Sequence, residues 1–337
     1  MPKSVQQKYR TLEILRILQE ESDDNHPIVT KDFCDRLGEK GFSCDRRTLS
    51  EDIADLKKLG YKISEKYVGK QKGYYYDDFP FSVEELKVLI DAVQASSFIP
   101  EKRSKILMDK LAKLGGYHRE EVLKGNMVTF NTRKHKDEKI MQNVGTINEC
   151  ISKHKKISFH YYDLDENKQK RLRKNRKRYI ENPAALVYND DNYYLVCYSD
   201  KYQDKVIYRV DRMYLIAKVE EDASAEIEKI KAELPTYTKQ AFRMFGGKTE
   251  EVTLQFDRSI LGQIYDQFGE ETEVRVIAED LLEATVQIQL SPTFWGWLFQ
   301  YGNLITKIYP DIIQQAYIDK MSNIIKLAEE RKQQWKY

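Results

Sequence analysis

Residues 182–213 read NPAALVYNDDNYYLVCYSDKYQDKVIYRVDRM. Ala185–Tyr188 is apolar and stops at Asn189-Asp190-Asp191-Asn192, a turn composition. Tyr193–Tyr198 is aromatic and aliphatic throughout, as suits a strand buried on both faces. Val206–Arg209 is a third strand, running into Asp211-Arg212. The rest of the chain is organised around these three strands.

Upstream, Ile157–Tyr162 and Arg173–Tyr179 read as two more strands. Between them, residues 168–178 (KQKRLRKNRKR) hold eight Lys or Arg among eleven residues and no acid. The formal net charge of +2 hides this run, because Lys218–Glu251 is acid-rich. A local basic run is the electrostatic footprint of nucleic-acid contact; the competing reading is a solvated hairpin tip. Tyr161, Tyr179, Tyr193 and Tyr194 interleave with Arg209 and Arg212. Aromatic rings stack on bases and Arg pairs with phosphate; alternatively the tyrosines are barrel core and the arginines pair with Asp211.

These residues resemble the WYL domain of bacterial transcription regulators. Pro183 takes the place of the proline-led strand, Tyr193-Tyr194-Leu195 that of the Trp-Tyr-Leu triplet, with Tyr for Trp, and Tyr208-Arg209-Val210-Asp211-Arg212 that of the closing motif. The resemblance implies an Sm-like, SH3-type β-barrel that senses a nucleic-acid or nucleotide ligand, with Tyr161, Tyr179, Tyr193, Tyr194, Arg209 and Arg212 as ligand-binding candidates.

At the N-terminus, residues 5–20 carry Leu12, Leu15 and Leu18 at helical spacing. Thr30 is the expected N-cap of a helix over 31–40, closed by Gly41. Asp45 caps a third helix over 46–59, ended by Gly60, with Leu49, Ile53 and Leu56 inward and Arg47, Glu51, Ala54 and Lys58 outward. Residues 61–68, GKQKG and Tyr74–Tyr76 read as a β-hairpin. Three helices and a hairpin predict a winged helix-turn-helix whose third helix enters the major groove of double-stranded operator DNA. DRRTLSEDIADLKKLGYKI resembles the DeoR-type recognition helix of the same regulators, with Glu51 where Arg is common. Arg46, Arg47, Thr48 and Ser50, with Lys70 and Lys72 in the wing, are the DNA-binding candidates.

Ser82-Val83-Glu84-Glu85 is a capping box before Leu86, Leu89, Ile90 and Val93. Pro100 opens a helix through Leu114, Met127–Phe130 is a short strand, and residues 139–152 form a helix with Met141, Ile147 and Ile151 inward. Beyond residue 250, strand signals at Val252–Phe256, Val274–Val276, Ala284–Leu290 and Leu304–Tyr309 alternate with helices over 258–268 and 292–300. A long final helix starts at Pro310. That is a ferredoxin-like βαββαβ order plus one helix, and it resembles the WCX extension of WYL regulators, with Trp295-Gly296-Trp297-Leu298 as its aromatic helix.

The expected class is thus α+β multidomain: a winged helix-turn-helix (1–78), a helical linker (79–138), a WYL barrel (139–220), a connector (221–249) and a WCX-like domain (250–337). The implied function is a ligand-responsive transcription regulator, a homodimer and repressor, with activation as the alternative. A nuclease is the rival class, with Asp163, Asp165 and Glu166 as its best acidic cluster; an interaction module is the third. No paired carboxylates near histidines, HExxH or Walker loop argues for catalysis, and no cofactor is expected. Cys34, Cys44, Cys150 and Cys197 lack CxxC pairing and offer no zinc site; they read as reduced thiols of a cytoplasmic protein. Neither a signal-peptide core nor an apolar run long enough to span a membrane is expected.

Overall fold

The first helix, α1 (Lys3–Glu21), buries Ile14, Leu15, Ile17 and Leu18, while Leu12 is 62% exposed. Leucines three apart drift by about 60° per step on a 3.6-residue helix, so Leu12 leaves the face that Ile14 and Leu18 define. The protein is described by a computed structural model over residues 3–126, 133–240 and 248–334. It divides into two compact units, Met1–Met141 and Gln142–Tyr337.

In the first unit, β1 (Ile28–Val29) leads into α2 (Thr30–Glu39). Thr30 was the expected N-cap, but it is the first helical residue, and its hydroxyl donates to the Lys72 carbonyl at 3.0 Å. Asp45 does cap α3 (Arg46–Lys58), accepting from the Thr48 amide at 2.8 Å. Leu49, Ile53 and Leu56 are buried against α1 and α2 residues such as Ile14, Leu18 and Phe33. Strands β2 (Ile63–Val68) and β3 (Gln71–Tyr76) pair through a two-residue turn at Gly69-Lys70, so most of GKQKG is strand. β1 joins the free edge of β3, giving the order β1-β3-β2.

Three more helices complete this unit: α4 (Val83–Ala95), α5 (Glu101–Lys113) and α6 (Tyr117–Gly125). Ser82 and Glu85 form the full capping box of α4. Leu86, Ile90, Ala112 and Leu123 form the helical core. The strand expected at Met127–Phe130 lies outside the described residues.

Helix α7 (Ile140–Ser152) buries Ile147 and Cys150, whereas Met141, expected inward, is 37% exposed. Ile140, seven residues before Ile147, shares its side of the helix; Met141 falls about 100° away. The strands β4 (Lys155–Leu164), β5 (Lys170–Leu172), β6 (Tyr179–Asn189), β7 (Asn192–Ser199), β8 (Asp204–Arg209) and β9 (Met213–Asp222) form one curled antiparallel sheet. Its order is β5-β4-β6-β7-β8, with β9 on β4: a half-barrel by its ladders. The strand expected over Arg173–Tyr179 is absent. Lys174, Asn175 and Arg176 all have φ between 49° and 66°, left-handed backbone that cannot continue a ladder. Asp190 and Asp191, also left-handed, make the two-residue β6–β7 turn. Pro183 sits at a bulge in β6, where no ladder donor is needed.

Helix α8 (Ile227–Gln240) lays Ile227 and Ile230 on Ala184, Tyr194 and Val196. The remaining elements are β10 (Thr249–Asp257), α9 (Leu261–Phe268), β11 (Val274–Val276), β12 (Leu281–Gln289), α10 (Pro292–Gln300), β13 (Ile305–Tyr309) and α11 (Asp311–Gln334). Their antiparallel sheet runs β11-β12-β10-β13. Val252, Leu254 and Phe256 of β10 are fully buried with Phe294 and Leu298 of α10. The outer half of α11, from Ile318 to Lys332, is exposed at every residue.

Candidate nucleic-acid surfaces

Two surfaces carry the residues singled out from sequence, one in each unit. The first is built on α3. Its inner face is fixed by packing and by Asp52, which is 1% exposed and accepts from Arg10 Nε at 2.6 Å and from the Thr11 hydroxyl at 3.1 Å. A buried carboxylate needs such partners, and here they clamp α3 to α1. The Asp52 hydrogen bond, acting against burial, holds the Arg10 guanidinium above its ordinary range.

The outer face presents the candidates unequally. Arg46 and Ser50 are exposed, and Arg46 has no ion pair among the described residues. Arg47, 90% exposed, places Nε 3.0 Å from Glu51, one turn on. The Thr48 amide is used by the Asp45 cap. Lys70 sits at the exposed hairpin tip, with no ion pair among the described residues. Lys72 is tied across the hairpin to Glu65 at 2.7 Å and lies 5.1 Å from the Tyr74 ring. Arg46, Lys70 and Lys72 line one depression of about 480 Å³ between the start of α3 and the hairpin, together with Lys31, Cys34 and Cys44. Arg47 and Ser50 lie outside its lining.

The second surface is on the half-barrel. Phe159 and Tyr161 alternate on one face of β4 and pack with Tyr179 of β6 and Tyr208 of β8, ring centroids 5.0–6.5 Å apart. All four are buried. Burial raises the phenols of Tyr161, Tyr179 and Tyr208 above their ordinary range. Tyr208 donates to Glu181 at 2.7 Å; Glu181 is 4% exposed, and burial raises its carboxyl. Its other oxygen, Oε2, is buried without a hydrogen-bond partner, although the Ser199 hydroxyl is near enough to oppose the rise.

The basic run folds over these rings. Lys174 Nζ is 3.6 Å from the Tyr179 centroid and the Arg173 guanidinium 5.2 Å from that of Tyr161; Lys170 instead lies over Tyr162, on the other face of β4, at 4.7 Å. The left-handed residues 174–176 turn the run back on itself. Arg173 also pairs with both oxygens of Asp163 at 2.6 and 2.8 Å, and Arg212 shares that carboxylate at 3.2 Å. The Arg173 hydrogen bond chiefly holds Asp163 below the usual carboxylate range. Arg209 grips Asp211 with two bonds of 3.0 and 2.9 Å and Asn192 with a third, while its amide donates to the Tyr161 hydroxyl. Burial lowers the Arg209 guanidinium, but Asp211 more than offsets that and it sits above its ordinary range.

Tyr161 and Tyr179 therefore belong to one ring cluster, and Arg212 reaches its face through Asp163. Arg209 touches the cluster only by its amide: adjacent strand residues face opposite ways, so its side chain leaves the face of Tyr208 and lies with Asn192 and with Tyr194, its ladder partner. Tyr193 packs edge-on against Tyr188, its ladder partner nearer the β6–β7 turn, rather than against the four rings. Sequence reasoning named Arg173 and Lys174 only as part of the basic run and Tyr208 only within the closing motif, and it passed over Glu181. The two-residue alternation Phe159-Tyr161-Asp163 could have placed Asp163 on the ring face; the return of Arg173 and Lys174 depends on left-handed backbone that no residue type there announces.

Residues 142–217, from within α7 to within β9, match the family model of the WYL domain. No curated protein matches the chain. Among solved structures, Proteasome accessory factor B/C (PafBC) of Arthrobacter aurescens is similar at 16% identity and a TM-score of 0.28, over 93% of this chain and 48% of that one. The chain spans about half the length of that structure. No described helix is long and apolar enough to cross a membrane, and no group of metal-ligating side chains occurs among the described residues.

Proposed function

We propose that the chain is a sequence-specific transcription regulator that binds duplex operator DNA as a homodimer. In this reading α1–α3 with the β2–β3 hairpin act as a winged helix-turn-helix, and the β10–α11 region is a ferredoxin-like WCX extension. The WYL half-barrel senses a nucleic-acid or nucleotide effector whose binding releases the operator, making the protein a repressor. The reading rests above all on Arg46 and Lys70, two exposed cations without ion pairs among the described residues, both lining the depression between α3 and the hairpin tip. Cations without an acidic partner meet phosphate with their full charge and give up no ion pair to do so.

The effector reading rests on Arg173 and Lys174 lying over buried tyrosines. A phosphate-bearing ligand meets those guanidinium and ammonium groups first; its bases reach Tyr161 or Tyr179 only where a cation swings aside. Linkage requires that whatever the effector does to operator affinity, the operator does to effector affinity.

The test is a titration of labelled duplex against wild type and the Arg46→Ala, Lys70→Ala double variant over a salt series. Each lost phosphate contact should flatten the slope of log K against log salt by about 0.9. A parallel titration uses short single-stranded DNA, cyclic dinucleotides and mononucleotides, on wild type and on Arg209→Ala with Arg212→Ala. Equal duplex slopes for both proteins would remove the α3 assignment. Equal ligand binding by both would reduce the half-barrel arginines to structural ion pairs.

A further inference from the structure

Cys34 on α2 and Cys44, next to the α3 cap, lie ten residues apart in sequence, yet their sulfurs are 3.5 Å apart. Both are partly exposed and both line the depression that holds Arg46 and Lys70. Cys150 and Cys197 are buried. From this geometry we infer that Cys34 and Cys44 are a redox-modification site, a dithiol that a peroxide closes to a disulfide and so withdraws the DNA-binding face of α3. The effect on DNA rests on the function proposed above; the disulfide does not.

A disulfide holds its sulfurs about 2.0 Å apart, so closure brings them together by about 1.5 Å, within reach of side-chain rotation and a small backbone shift. Burial and the neighbouring Cys34 sulfur push the Cys44 thiol up to about 12. The steps are the same whichever sulfur meets the peroxide first. When Cys34 is first, its sulfur takes one peroxide oxygen. The O–O bond breaks, and the departing hydroxide leaves as water with the Cys34 proton. Cys44 sulfur then attacks the sulfenic acid: the S–S bond forms, the S–O bond breaks, and the hydroxyl leaves as a second water with the Cys44 proton. The two thiols lose two electrons and the peroxide gains them.

Closure acts on the start of α3. The Cys44 sulfur contacts the Asp45 carbonyl at 3.6 Å, and that carbonyl accepts the first helical bond, from the Leu49 amide, at 2.9 Å. The Asp45 side chain caps the Thr48 amide. Drawing Cys44 toward α2 removes its thiol proton from the Asp45 carbonyl and displaces the cap, with Arg46 immediately after it.

The experiment treats the reduced full-length chain with hydrogen peroxide, quenches, alkylates and maps peptides. It then measures affinity for a random-sequence duplex and amide exchange before and after dithiothreitol. The expected result is a cross-linked Cys34–Cys44 peptide with Cys150 and Cys197 still alkylated. Duplex affinity should fall at least fivefold and recover on reduction, while the affinity of Cys44→Ser, whatever its starting value, is the same before and after peroxide. Absence of the cross-linked peptide overturns the inference, as does equal loss of affinity in wild type and Cys44→Ser. If the reduced chain binds no duplex, the proposed function fails instead. The dithiol is then judged by exchange at Thr48 and Leu49: faster in the cross-linked form supports it, unchanged overturns it.

Discussion

Glu51 tests the α3 surface from an unusual direction, because removing it should strengthen binding. Its carboxylate pairs with Arg47 at 3.0 Å on the exposed face, so Arg47 meets DNA already neutralised. An exposed i,i+4 pair is worth only about 0.3–0.5 kcal/mol; Arg47 therefore gives it up easily, and the main burden of Glu51 is its charge beside the phosphates. At an effective dielectric near that of water, two charges about 8 Å apart repel by about 0.5 kcal/mol. Together the two effects predict about 0.5–1 kcal/mol tighter binding for Glu51→Ala, roughly two- to fivefold. The gain should shrink as salt rises from about 50 to 200 mM, since screening removes the repulsion. Fluorescence anisotropy on a labelled duplex reads both quantities. Arg47→Ala should cost less than Arg46→Ala in the same assay, because only Arg46 lacks an acidic partner. Unchanged or weaker binding by Glu51→Ala, with the protein folded, would mean that this face of α3 does not meet phosphate.

Three further outcomes follow from the geometry. Arg10→Ala strands the Asp52 carboxylate, which is 1% exposed, and should cost about 3 kcal/mol of stability; a urea midpoint shift worth less than about 1 kcal/mol would show that the clamp contributes little. Glu181, whose carboxyl burial raises above its unfolded value, favours folding fully only below that unfolded value. Wild-type stability should decline as pH rises through the raised value, and Glu181→Gln should lack that decline; identical pH profiles for the two proteins would be inconsistent with a buried, partly unsatisfied carboxylate. On α11, Ile318, Met321, Ile325 and Ala328 repeat at coiled-coil spacing and are exposed, which suits pairing with a second copy. Light scattering should find a dimer for wild type and a monomer for Ile318→Asp with Ile325→Asp, and a monomeric wild type would exclude this pairing.

What was legible in the sequence was local chemistry. Asp45 and Ser82 cap helices because a short polar side chain meets a free amide three residues on, a relation contained within four letters. Alternation at Val252, Leu254 and Phe256 marked a buried face for the same reason. The misreadings arose where local letters under-determine geometry. Residues 173–179 look like a basic strand, and only the left-handed backbone at 174–176 stops them from being one. β9 was missed because its run, MYLIAKVEED, has an exposed, acid-rich end and gains its ladder from β4, some sixty residues earlier.

The same distinction decides how the candidate residues rank. A list of cations treats Arg46, Arg47, Lys70 and Lys72 as equals, since charge is a property of the letter. Availability is a property of the fold: Glu51 and Glu65 occupy two of the four, leaving Arg46 and Lys70 beside the depression. On the half-barrel, Asp211 and Asp163 likewise engage the two arginines that the motif singles out. An anion arriving there competes with carboxylates already in place. Binding therefore needs either several phosphates acting together or a ligand that splits the Asp163 pairing with Arg173 and Arg212. On the effector reading proposed above, the second route acts through Asp163, whose pairings with Arg173 and Arg212 a ligand phosphate must replace.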